Sequence, residues 1–422
     1  MKQILLLLIF INLQGLNAEA LKRRKAYNWR TGYIWKKAYI WRNAYTWKKP
    51  NKWSDLLPTR KSLPKEDIEA NIRLHLVDKQ WVPDGTKAVQ SDDVIPKYRG
   101  TVKDAFKIFM SKELQLKYHS SPLAEAKELL KEENGYKAEQ ESIFIIHTVD
   151  GSPNDDMVKN TITALALRNF LKKYNVFTFD IKDLQRYMQE TIREVMIGRG
   201  SKYEDLSEVI GNFFNSAIAE NLIEINKIHL FGFSFSAQLS GYIGRYVSSK
   251  NDDKKMKSIT ALEPFSTTLF SMKNKVVSKD DAELVFVFHT NSIYAGTFDH
   301  KATADFVINN GWFQPGCFFS RNMYCSHQRS VTLFWYVILY PELWTARKCS
   351  SYLLFSSCLC SFKEKTSLTF PPVPGAKGTY YLNTMAHKPY GFGPKGANCI
   401  SFFKRKKSDH IVKSVKLGNL ND

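Results

Sequence analysis

The sequence predicts an α/β fold with a mainly parallel sheet and helices on both faces, preceded by an N-terminal extension. From Ser142 onward, short apolar runs of the kind found in buried strands alternate with longer helical patterns. This alternation is typical of βαβ units, which build parallel sheets. With 422 residues, the chain is also long enough to bury a full hydrophobic core.

The predicted elements follow one another in a regular order. The strands are expected at Ile143–His147, Val176–Asp180, the run that starts at Ile228, Ser258–Leu262 and Leu284–Phe288. The helices between them are expected at about Asp156–Tyr174, at Lys202–Asn221 and in the stretch that ends near Val247. Ligands of such sheets bind at the carboxyl ends of the strands, so we expect the functional site there.

The first 20 residues have the pattern of a secretory signal peptide. Lys2 is followed by the apolar run Ile4–Ile11, and the small residues Ala18 and Ala20 precede the expected cleavage site. This run is too short to span a bilayer, and no later segment reaches the roughly 18 apolar residues that a span needs. We therefore expect a secreted, extracellular protein without a transmembrane segment.

Residues 21–53 form a basic arm with a six-residue aromatic repeat. The repeating positions are Tyr27, Tyr33, Tyr39 and Tyr45, with Trp29, Trp35, Trp41, Trp47 and Trp53. Because six is even, an extended chain places all of them on one face, whereas an α-helix rotates them by about 120° per repeat. The arm holds eleven Lys or Arg and no acid, more than half of the net charge of +20.

Several partners fit this arm, and they remain open. An anionic surface such as a lipid interface, sugars or single-stranded nucleic acid would each suit an aromatic and basic ribbon, although secretion argues against nucleic acid. A disordered or proteolytically removed arm is the alternative. The +20 charge therefore says little about the chemistry of the remaining chain.

Two further segments flank the α/β domain, which we expect to span residues 143–400. Residues 54–142 are polar with amphipathic pieces at Asp67–Leu76 and Leu123–Lys131, interrupted by prolines. They contain no catalytic constellation, and we expect them to pack against the domain. Residues 401–422 form a basic C-terminal tail.

The stretch from Ile228 to Gly241 carries the strongest chemical signal. An apolar strand pattern ends in Gly232-Phe233-Ser234, and small residues with a helical pattern follow. A serine on such a sharp strand-to-helix turn projects its hydroxyl from the end of the sheet, and the N–H of Phe235 can point at a developing oxyanion. The last position of this motif is Ser236 where glycine is usual.

A nucleophilic serine needs a base, and the base needs an orienting carboxylate. Glu263 follows the predicted strand Ser258–Leu262, and His327 comes shortly after Cys325. The order Ser, acid, His is the order of α/β-hydrolases. The sequence therefore predicts a triad of Ser234, Glu263 and His327.

These residues lie within motifs that resemble the pancreatic-lipase family of secreted esterases. The motifs follow in family order from Ser142 to about Ile400: Phe144–His147, Gly232–Ser234, Ile259–Pro264, His289–Asn291, Ala304–Phe306 with Asn309, Gln314–Cys317, Cys325–His327, Gly378–Leu382 and Pro389-Tyr390. The resemblance implies an α/β-hydrolase fold in which Ser234 is the nucleophile, Glu263 the acid and His327 the base.

The resemblance also assigns roles to residues outside the triad. Val149 resembles the second oxyanion donor beside Phe235, while His147 and His289 fall at positions that are not catalytic in the family. The six cysteines favour three disulfides in an exported protein rather than a metal site. By resemblance, Cys317 pairs with Cys325 and Cys349 with Cys360, which leaves Cys358 and Cys399. No nucleotide loop, metal-ligand spacing or calcium loop is found in the sequence, so no cofactor is expected.

Three departures from the family pattern bear on activity. Glu263 replaces the usual aspartate and is one methylene longer, although glutamate serves as the third member in other hydrolases. Thr148 stands beside the oxyanion donor where the family has glycine, and Ser236 fills the last position of the turn. Losing an oxyanion donor costs about 10² to 10³ in rate, so these changes bear directly on turnover.

The expected cover of the site points to a substrate class. Cys317 and Cys325, which resemble the cysteines around the lipase lid, enclose seven residues, and the aromatics Phe318 and Phe319 among them suit contact with an acyl chain. By resemblance, this short lid and the chain end at Asp422 are similar to secreted phospholipases A1. The predicted function is a secreted lipid ester hydrolase, a phospholipase A1 or a lipase.

A second interpretation of the function, other than an enzyme, remains open. The chain also resembles the insect yolk proteins, which share the lipase domain and a long N-terminal extension. A weakly active or inactive lipid-binding storage protein on the same fold is therefore the alternative. That family has lost its nucleophile, whereas Ser234 and His327 are both present here. The oligomeric state is not predicted.

Overall fold

A mixed sheet organises the part of the chain that the computed structural model describes, which comprises residues 63–79, 116–146, 155–184, 187, 190, 201–266, 276–317 and 324–399. Its strands are β1 Arg73–Val77, β2 Tyr118–Pro122, β3 Glu141–Ile146, β4 Tyr174–Asp180, β5 Ile228–Phe233, β6 Ser258–Leu262, β7 Leu284–His289, β8 Ala304–Ile308, β9 Thr345–Lys348, β10 Lys365–Ser367 and β11 Gly378–Leu382. They lie in the order β10-β9-β11-β8-β7-β6-β5-β3-β4-β1-β2.

The centre of the sheet is parallel and its two ends are antiparallel. Every pairing from β4 through β3, β5, β6, β7 and β8 to β11 is parallel. Strands β1 and β2 extend one end and β9 and β10 the other, all by antiparallel pairing. The predicted α/β fold with a mainly parallel sheet is therefore confirmed.

Helices cover both faces of this sheet. They are α1 Lys65–Ala70, α2 Asp156–Leu167, α3 Phe170–Lys173, α4 Ser201–Ala219, α5 Phe235–Ser249, α6 Cys325–Leu339 and α7 Tyr352–Ser356. Alternate residues of β3 enter two different cores: Phe144 packs with residues of α4 and α5, and Ile145 with residues of α2 and α6. Because side chains of a strand alternate between its faces, each core fills one side of the sheet.

Two local differences from the sequence interpretation have clear causes. The helix expected over Asp156–Tyr174 is interrupted after Leu167, where Asn169 adopts a left-handed conformation with φ of 58°. The amphipathic piece Asp67–Leu76 divides between α1 and β1, because β1 pairs with β4 and buries Leu74 and Leu76 beside it. Tertiary pairing of this kind overrides a short amphipathic pattern.

Three disulfides close the C-terminal part, Cys317–Cys325, Cys349–Cys360 and Cys358–Cys399. These are the pairs that the family resemblance implies. Within the described ranges, no helix is both long and apolar enough to cross a bilayer. The expected signal peptide, the basic arm and the C-terminal tail lie outside the described residues.

Candidate active site

Ser234 lies at the turn between β5 and α5, where its backbone is strained. Its φ of 57° and ψ of −116° are uncommon for a residue with a side chain, and such strain persists only when neighbouring contacts hold it. The N–H of Ser234 donates to the carbonyl of Leu262 at 2.8 Å, and the N–H of Phe265 donates to the carbonyl of Ser234 at 2.9 Å. These two bonds tie the turn to the segment that carries Glu263.

The turn is tight enough to require glycine two residues before the serine. A Cβ on Gly232 would lie 2.3 Å from the backbone oxygen of Ser236. A side chain at that position would therefore force the turn open. Ser236 itself is fully buried, and its side chain occupies the position where the usual motif has none.

His327 contacts the serine directly. Its Nε2 lies 2.8 Å from Ser234 Oγ, within hydrogen-bond distance. The histidine occupies the first turn of α6, two residues after Cys325, whose disulfide to Cys317 fixes the start of the helix. The ring of Phe233 packs on the imidazole at a centroid distance of 4.8 Å. This is the arrangement of a nucleophile and its general base.

Burial controls the protonation of His327. Its side chain is almost completely buried, and desolvation lowers the pKa of the imidazole to about 3. The ring is therefore neutral at physiological pH. If Nε2 accepts the hydroxyl proton of Ser234, the ring proton is on Nδ1. Nδ1 has no hydrogen-bond partner among the described residues.

Glu263 lies beside this pair, but its carboxylate binds elsewhere. Oε2 accepts hydrogen bonds from Thr290 Oγ1 and from the N–H of Asn291, each at 2.6 Å, and a further bond from the N–H of Thr290. Oε1 is buried and has no hydrogen-bond partner within the described part of the chain. The structure thus brings Ser234 and His327 together and holds the Glu263 carboxylate at the end of β7.

Gly296 provides the space in which this carboxylate lies. A Cβ at position 296 would stand 1.6 Å from Glu263 Oε1 and 2.7 Å from its carboxyl carbon. Any side chain there would displace the carboxylate. The glycine in the loop after β7 therefore accommodates the methylene by which glutamate exceeds aspartate.

A buried ion pair lies behind Glu263. His289 Nε2 is 2.9 Å from Asp305 Oδ1, and both side chains are buried. Burial raises the pKa of the Glu263 carboxyl, and the charge of His289 opposes this shift, together with the hydrogen bonds from Thr290 and Asn291. Desolvation lowers the pKa of His289, but Asp305 outweighs it and the net pKa is raised. The prediction that His289 is not catalytic stays a prediction.

The sequence interpretation did not identify the partners of the carboxylate. Thr290 and Asn291 stood within the quoted motif His289–Asn291, yet nothing in their spacing predicted that they would bind Glu263. Gly296 belongs to no motif. An isolated glycine after a predicted strand was the available signal, because it often marks a close approach of other atoms.

One of the two expected oxyanion donors is described. Phe235 is the first residue of α5, and the N–H groups of the first helical turn have no acceptor within the helix. Its ring stacks on Tyr203 at a centroid distance of 4.3 Å, which holds the start of the helix in place. The second donor, Val149, and its neighbours His147 and Thr148 lie outside the described residues.

Exposed apolar side chains occur in the loops that follow β7 and β8. They are Ile293, Tyr294 and Phe298 in the first loop, Phe313 before Cys317, and Tyr324, the last residue before Cys325. The rings of Tyr294 and Tyr324 are in contact at 5.5 Å, and Tyr324 also contacts the ring of His327 at 6.3 Å. An apolar rim therefore adjoins the base. Phe318 and Phe319 lie outside the described residues.

Comparison with known proteins yields a family match and several relatives. The family model described as Lipase matches residues 84–390. Hepatic triacylglycerol lipase of Oryctolagus cuniculus is 32% identical over 157 residues, 32% of this chain and 31% of that protein. Phospholipase A1 1 of Dolichovespula maculata is 35% identical over 136 residues, 30% of this chain and 41% of that protein.

Other matches extend further along the chain at lower identity. Phospholipase A1 of Polybia paulista is 26% identical over 197 residues, 44% of this chain and 58% of that protein. The chain thus covers between about a third and three fifths of the length of these relatives. Among solved structures, Est1E from Butyrivibrio proteoclasticus aligns with 12% identity and a TM-score of 0.21, over 31% of this chain and 43% of that chain.

Proposed function

Because this chain belongs to the lipase family, we propose that it hydrolyses carboxylic esters of lipids, with Ser234 as the nucleophile and His327 as the general base. The observation that carries this proposal is the 2.8 Å contact between Ser234 Oγ and His327 Nε2 on a strained strand-to-helix turn. The same contact favours an enzyme over a storage protein of the same fold, because storage needs neither the strained serine nor a base beside it.

The proposed reaction has two halves. Ser234 Oγ attacks the ester carbonyl carbon while its proton passes to His327 Nε2, and the N–H of Phe235, with that of Val149, stabilises the oxyanion. The imidazolium then gives its proton to the departing alcohol, and an acyl-enzyme remains. In the second half, water takes the place of the alcohol, and the fatty acid is released.

Glu263 is the proposed third member of the triad. An orienting carboxylate stabilises the imidazolium and fixes its tautomer. Glu263 Oε1 and His327 Nδ1 are both buried and both lack a partner among the described residues, and leaving such a group unpaired costs about 1–3 kcal/mol. A side-chain rotation that brings Oε1 to Nδ1 would satisfy both atoms. We therefore propose that the carboxylate moves from Thr290 and Asn291 to His327 during the reaction.

Phospholipids are the substrate class that we favour. Only seven residues separate Cys317 from Cys325, and by resemblance so short a lid segment is similar to that of secreted phospholipases A1. The exposed aromatic rim suits the acyl chain. The matches to phospholipases A1 support the same class, and those to hepatic lipases support triacylglycerols as the second. Three disulfides suit the secreted, extracellular location expected from the sequence.

The test is an ester hydrolysis assay on the secreted protein. Release of fatty acid from the sn-1 position of a phospholipid is compared with release from a triacylglycerol, for the native chain and for Ser234→Ala and His327→Ala. We expect phospholipid hydrolysis that each substitution lowers by at least about 10⁴. Equal turnover in the native and Ser234→Ala proteins would refute the proposal.

A further inference from the structure

A second surface of the molecule combines exposed apolar side chains with positive charge. It lies on residues 349–365, which we call the cysteine loop and which comprise the connection from β9 to β10 and the first residue of β10. Its most exposed apolar side chains are Leu353, Leu359 and Phe362, whose relative exposures are 73%, 59% and 77%. Single exposed leucines are ordinary, but here three large apolar side chains are exposed within ten residues of one disulfide-closed loop, and we call this set the patch.

The cysteine loop is firmly held, so this exposure belongs to an ordered surface. Cys349–Cys360 closes the loop on itself, and Cys358–Cys399 attaches it to the end of the described chain. The buried guanidinium of Arg347 donates hydrogen bonds to the carbonyls of Ser361, Lys363 and Ala397.

Within helix α7, the inward and outward faces are clearly separated. Phe355 is buried and stacks on Tyr381 of β11 at a centroid distance of 5.9 Å. Leu353, two residues earlier, lies about 200° away around the helix and faces outward. The loop therefore has its own small hydrophobic core around Phe355. Leu353 is exposed although this core is packed.

The charge of the patch is positive. Between Cys349 and Ser367 the sequence has one acid, Glu364, and this carboxylate binds Lys348 and the hydroxyl of Tyr380. Lys363 and Lys365 are exposed, and Lys363 lies over the ring of Phe362 at 5.0 Å. Apolar side chains flanked by lysines are typical of protein segments that lie at the surface of an anionic bilayer.

The sequence continues this chemistry beyond the described residues. Cys399, which is bonded to the cysteine loop, is followed after two residues by Phe402-Phe403-Lys404-Arg405-Lys406-Lys407. A second group of aromatic and basic residues thus follows, in the sequence, the cysteine that is bonded to the cysteine loop. We propose that the cysteine loop is a binding site for anionic lipid membranes that is separate from the catalytic site.

The cysteine loop lies far from the catalytic serine across the sheet. The loop packs on β11, and β11 is four strands away from β5, which carries Ser234. With neighbouring strands about 4.8 Å apart, this corresponds to roughly 19 Å across the sheet. Binding at the loop and chemistry at Ser234 are therefore expected to respond to different substitutions.

The apolar contribution is tested by sedimentation with vesicles. The full chain carries Ser234→Ala, so that the lipid stays intact, and is mixed with vesicles of phosphatidylcholine alone or with about 30% phosphatidylserine. We expect tighter binding to the anionic vesicles, and at least a tenfold loss of affinity when Leu353→Ser and Phe362→Ser are combined. Leu63→Ser, at another exposed leucine just before α1, is the control and should bind as before.

The ionic contribution is tested with Lys363→Gln and Lys365→Gln. Each substitution should lower the affinity for anionic vesicles about fivefold at low salt, and added salt should reduce the difference. In the Ser234-containing protein, none of these changes should alter hydrolysis of a short-chain soluble ester. Loss of that activity would indicate misfolding, so circular dichroism and this assay together keep the binding result interpretable.

Three results would overturn the proposal. One is unchanged vesicle binding in the Leu353→Ser/Phe362→Ser protein. Another is a loss that occurs only when Lys404, Arg405, Lys406 and Lys407 are replaced by glutamine, which would assign binding to the tail alone. The third is retention on a sulfated glycan matrix without vesicle binding, which would identify an anionic polysaccharide as the partner. Failure of lipid hydrolysis itself would leave this proposal standing, because the vesicle assay uses the Ser234→Ala protein.

Discussion

At the scale of single residues, the relation between His327 and Glu263 decides how the site works. Ser234 and His327 are in hydrogen-bond contact, while the Glu263 carboxylate binds Thr290 and Asn291. The free protein therefore pairs the proposed nucleophile with the proposed base, and it holds the Glu263 carboxylate on partners other than His327. Two predictions distinguish this arrangement from its two alternatives. In the first alternative, Glu263 already pairs with His327 in the free protein; in the second, Ser234 and His327 act without a carboxylate.

The first prediction concerns the charge of Glu263. Glu263→Gln keeps the size of the side chain but cannot stabilise an imidazolium, so kcat/KM for a lipid ester should fall by about 10³ or more. Thr290→Val removes one hydrogen bond to the carboxylate without touching His327 and should keep kcat/KM within about tenfold. If Glu263→Gln hydrolyses the ester nearly as fast as the native protein, Ser234 and His327 act without a carboxylate.

The second prediction concerns pH. Burial lowers the pKa of His327 to about 3, so in the free protein the imidazole stays neutral, and able to accept a proton, well below its usual pKa of about 6.5. The rate at which an active-site reagent labels Ser234 should therefore stay constant as the pH falls from 8 to about 5. An acid limb centred near pH 6.5 would show instead that the carboxylate already pairs with His327 in the free protein.

At the scale of elements, the turns after β5 and β6 carry Ser234 and Glu263, and the first turn of α6 carries His327. Glu263 has a φ of 43° and its N–H donates to the carbonyl of Phe288 at 2.8 Å, so the turn after β6 is tied to β7 as well as to Ser234. The loop after β7 then supplies Gly296. The carboxylate thus depends on a loop more than thirty residues away in sequence.

The third prediction tests this dependence with a double-mutant cycle. Gly296→Ala should lower the free energy of unfolding by about 2 kcal/mol, because its Cβ would collide with Glu263 Oε1. In a Glu263→Asp protein the carboxylate is one methylene shorter, and the same alanine should cost less by about 1 kcal/mol or more. Chemical denaturation gives the free energy of unfolding of the native protein, the two single variants and the double variant. Additive effects would mean that Gly296 does not accommodate the glutamate.

Much of this site could be predicted from the sequence, because the predicted features depend on residues that are close together in the chain. The turn at Ser234 could be predicted because Gly232 and an apolar strand are close in sequence, and Glu263 directly follows a predicted strand. His327 was found from its position behind Cys325 and from the order Ser, acid, His. The direction of the Glu263 carboxylate could not be predicted from the sequence. It depends on the rotamer that Thr290, Asn291 and Gly296 permit, and no sequence pattern encodes their distance from Glu263.

The same limit applies to the edge strands. β1 and β2 escaped prediction because β1 becomes a strand through its pairing with β4 and β2 through its pairing with β1, while their own sequences are short and mixed in polarity. The parallel strands β3 to β7 were predicted because their runs are mostly apolar, as is usual for strands covered by helices on both faces. Strands β8 and β11 are also parallel but were not among the predicted strands. The features that could not be predicted are those that depend on contacts between residues distant in sequence.

At the scale of the whole molecule, disulfides stabilise the C-terminal part unequally. Cys358–Cys399 closes a loop with a sequence separation of 41, and Cys317–Cys325 one of 8. A longer loop loses more conformational entropy in the unfolded chain when it is closed. The bond that attaches the cysteine loop should therefore stabilise the fold more than the bond beside His327.

The fourth prediction follows from these loop lengths. Replacing Cys358 and Cys399 by alanine should lower the free energy of unfolding by about 4 kcal/mol, and replacing Cys317 and Cys325 by about 2.5 kcal/mol. Urea denaturation of the two double variants measures the difference. The reverse order would mean that contacts in the native state, rather than loop closure, determine the contribution of each bond.

The central claim is that Ser234 is a nucleophile activated by His327. A fluorophosphonate reagent, followed by mass spectrometry of the intact protein and its peptides, tests it most directly. We expect one reagent per chain, bound to the peptide that contains Ser234, with labelling abolished by Ser234→Ala and slowed at least about a hundredfold by His327→Ala. A folded native protein that stays unlabelled, or is labelled equally well without His327, would contradict the claim.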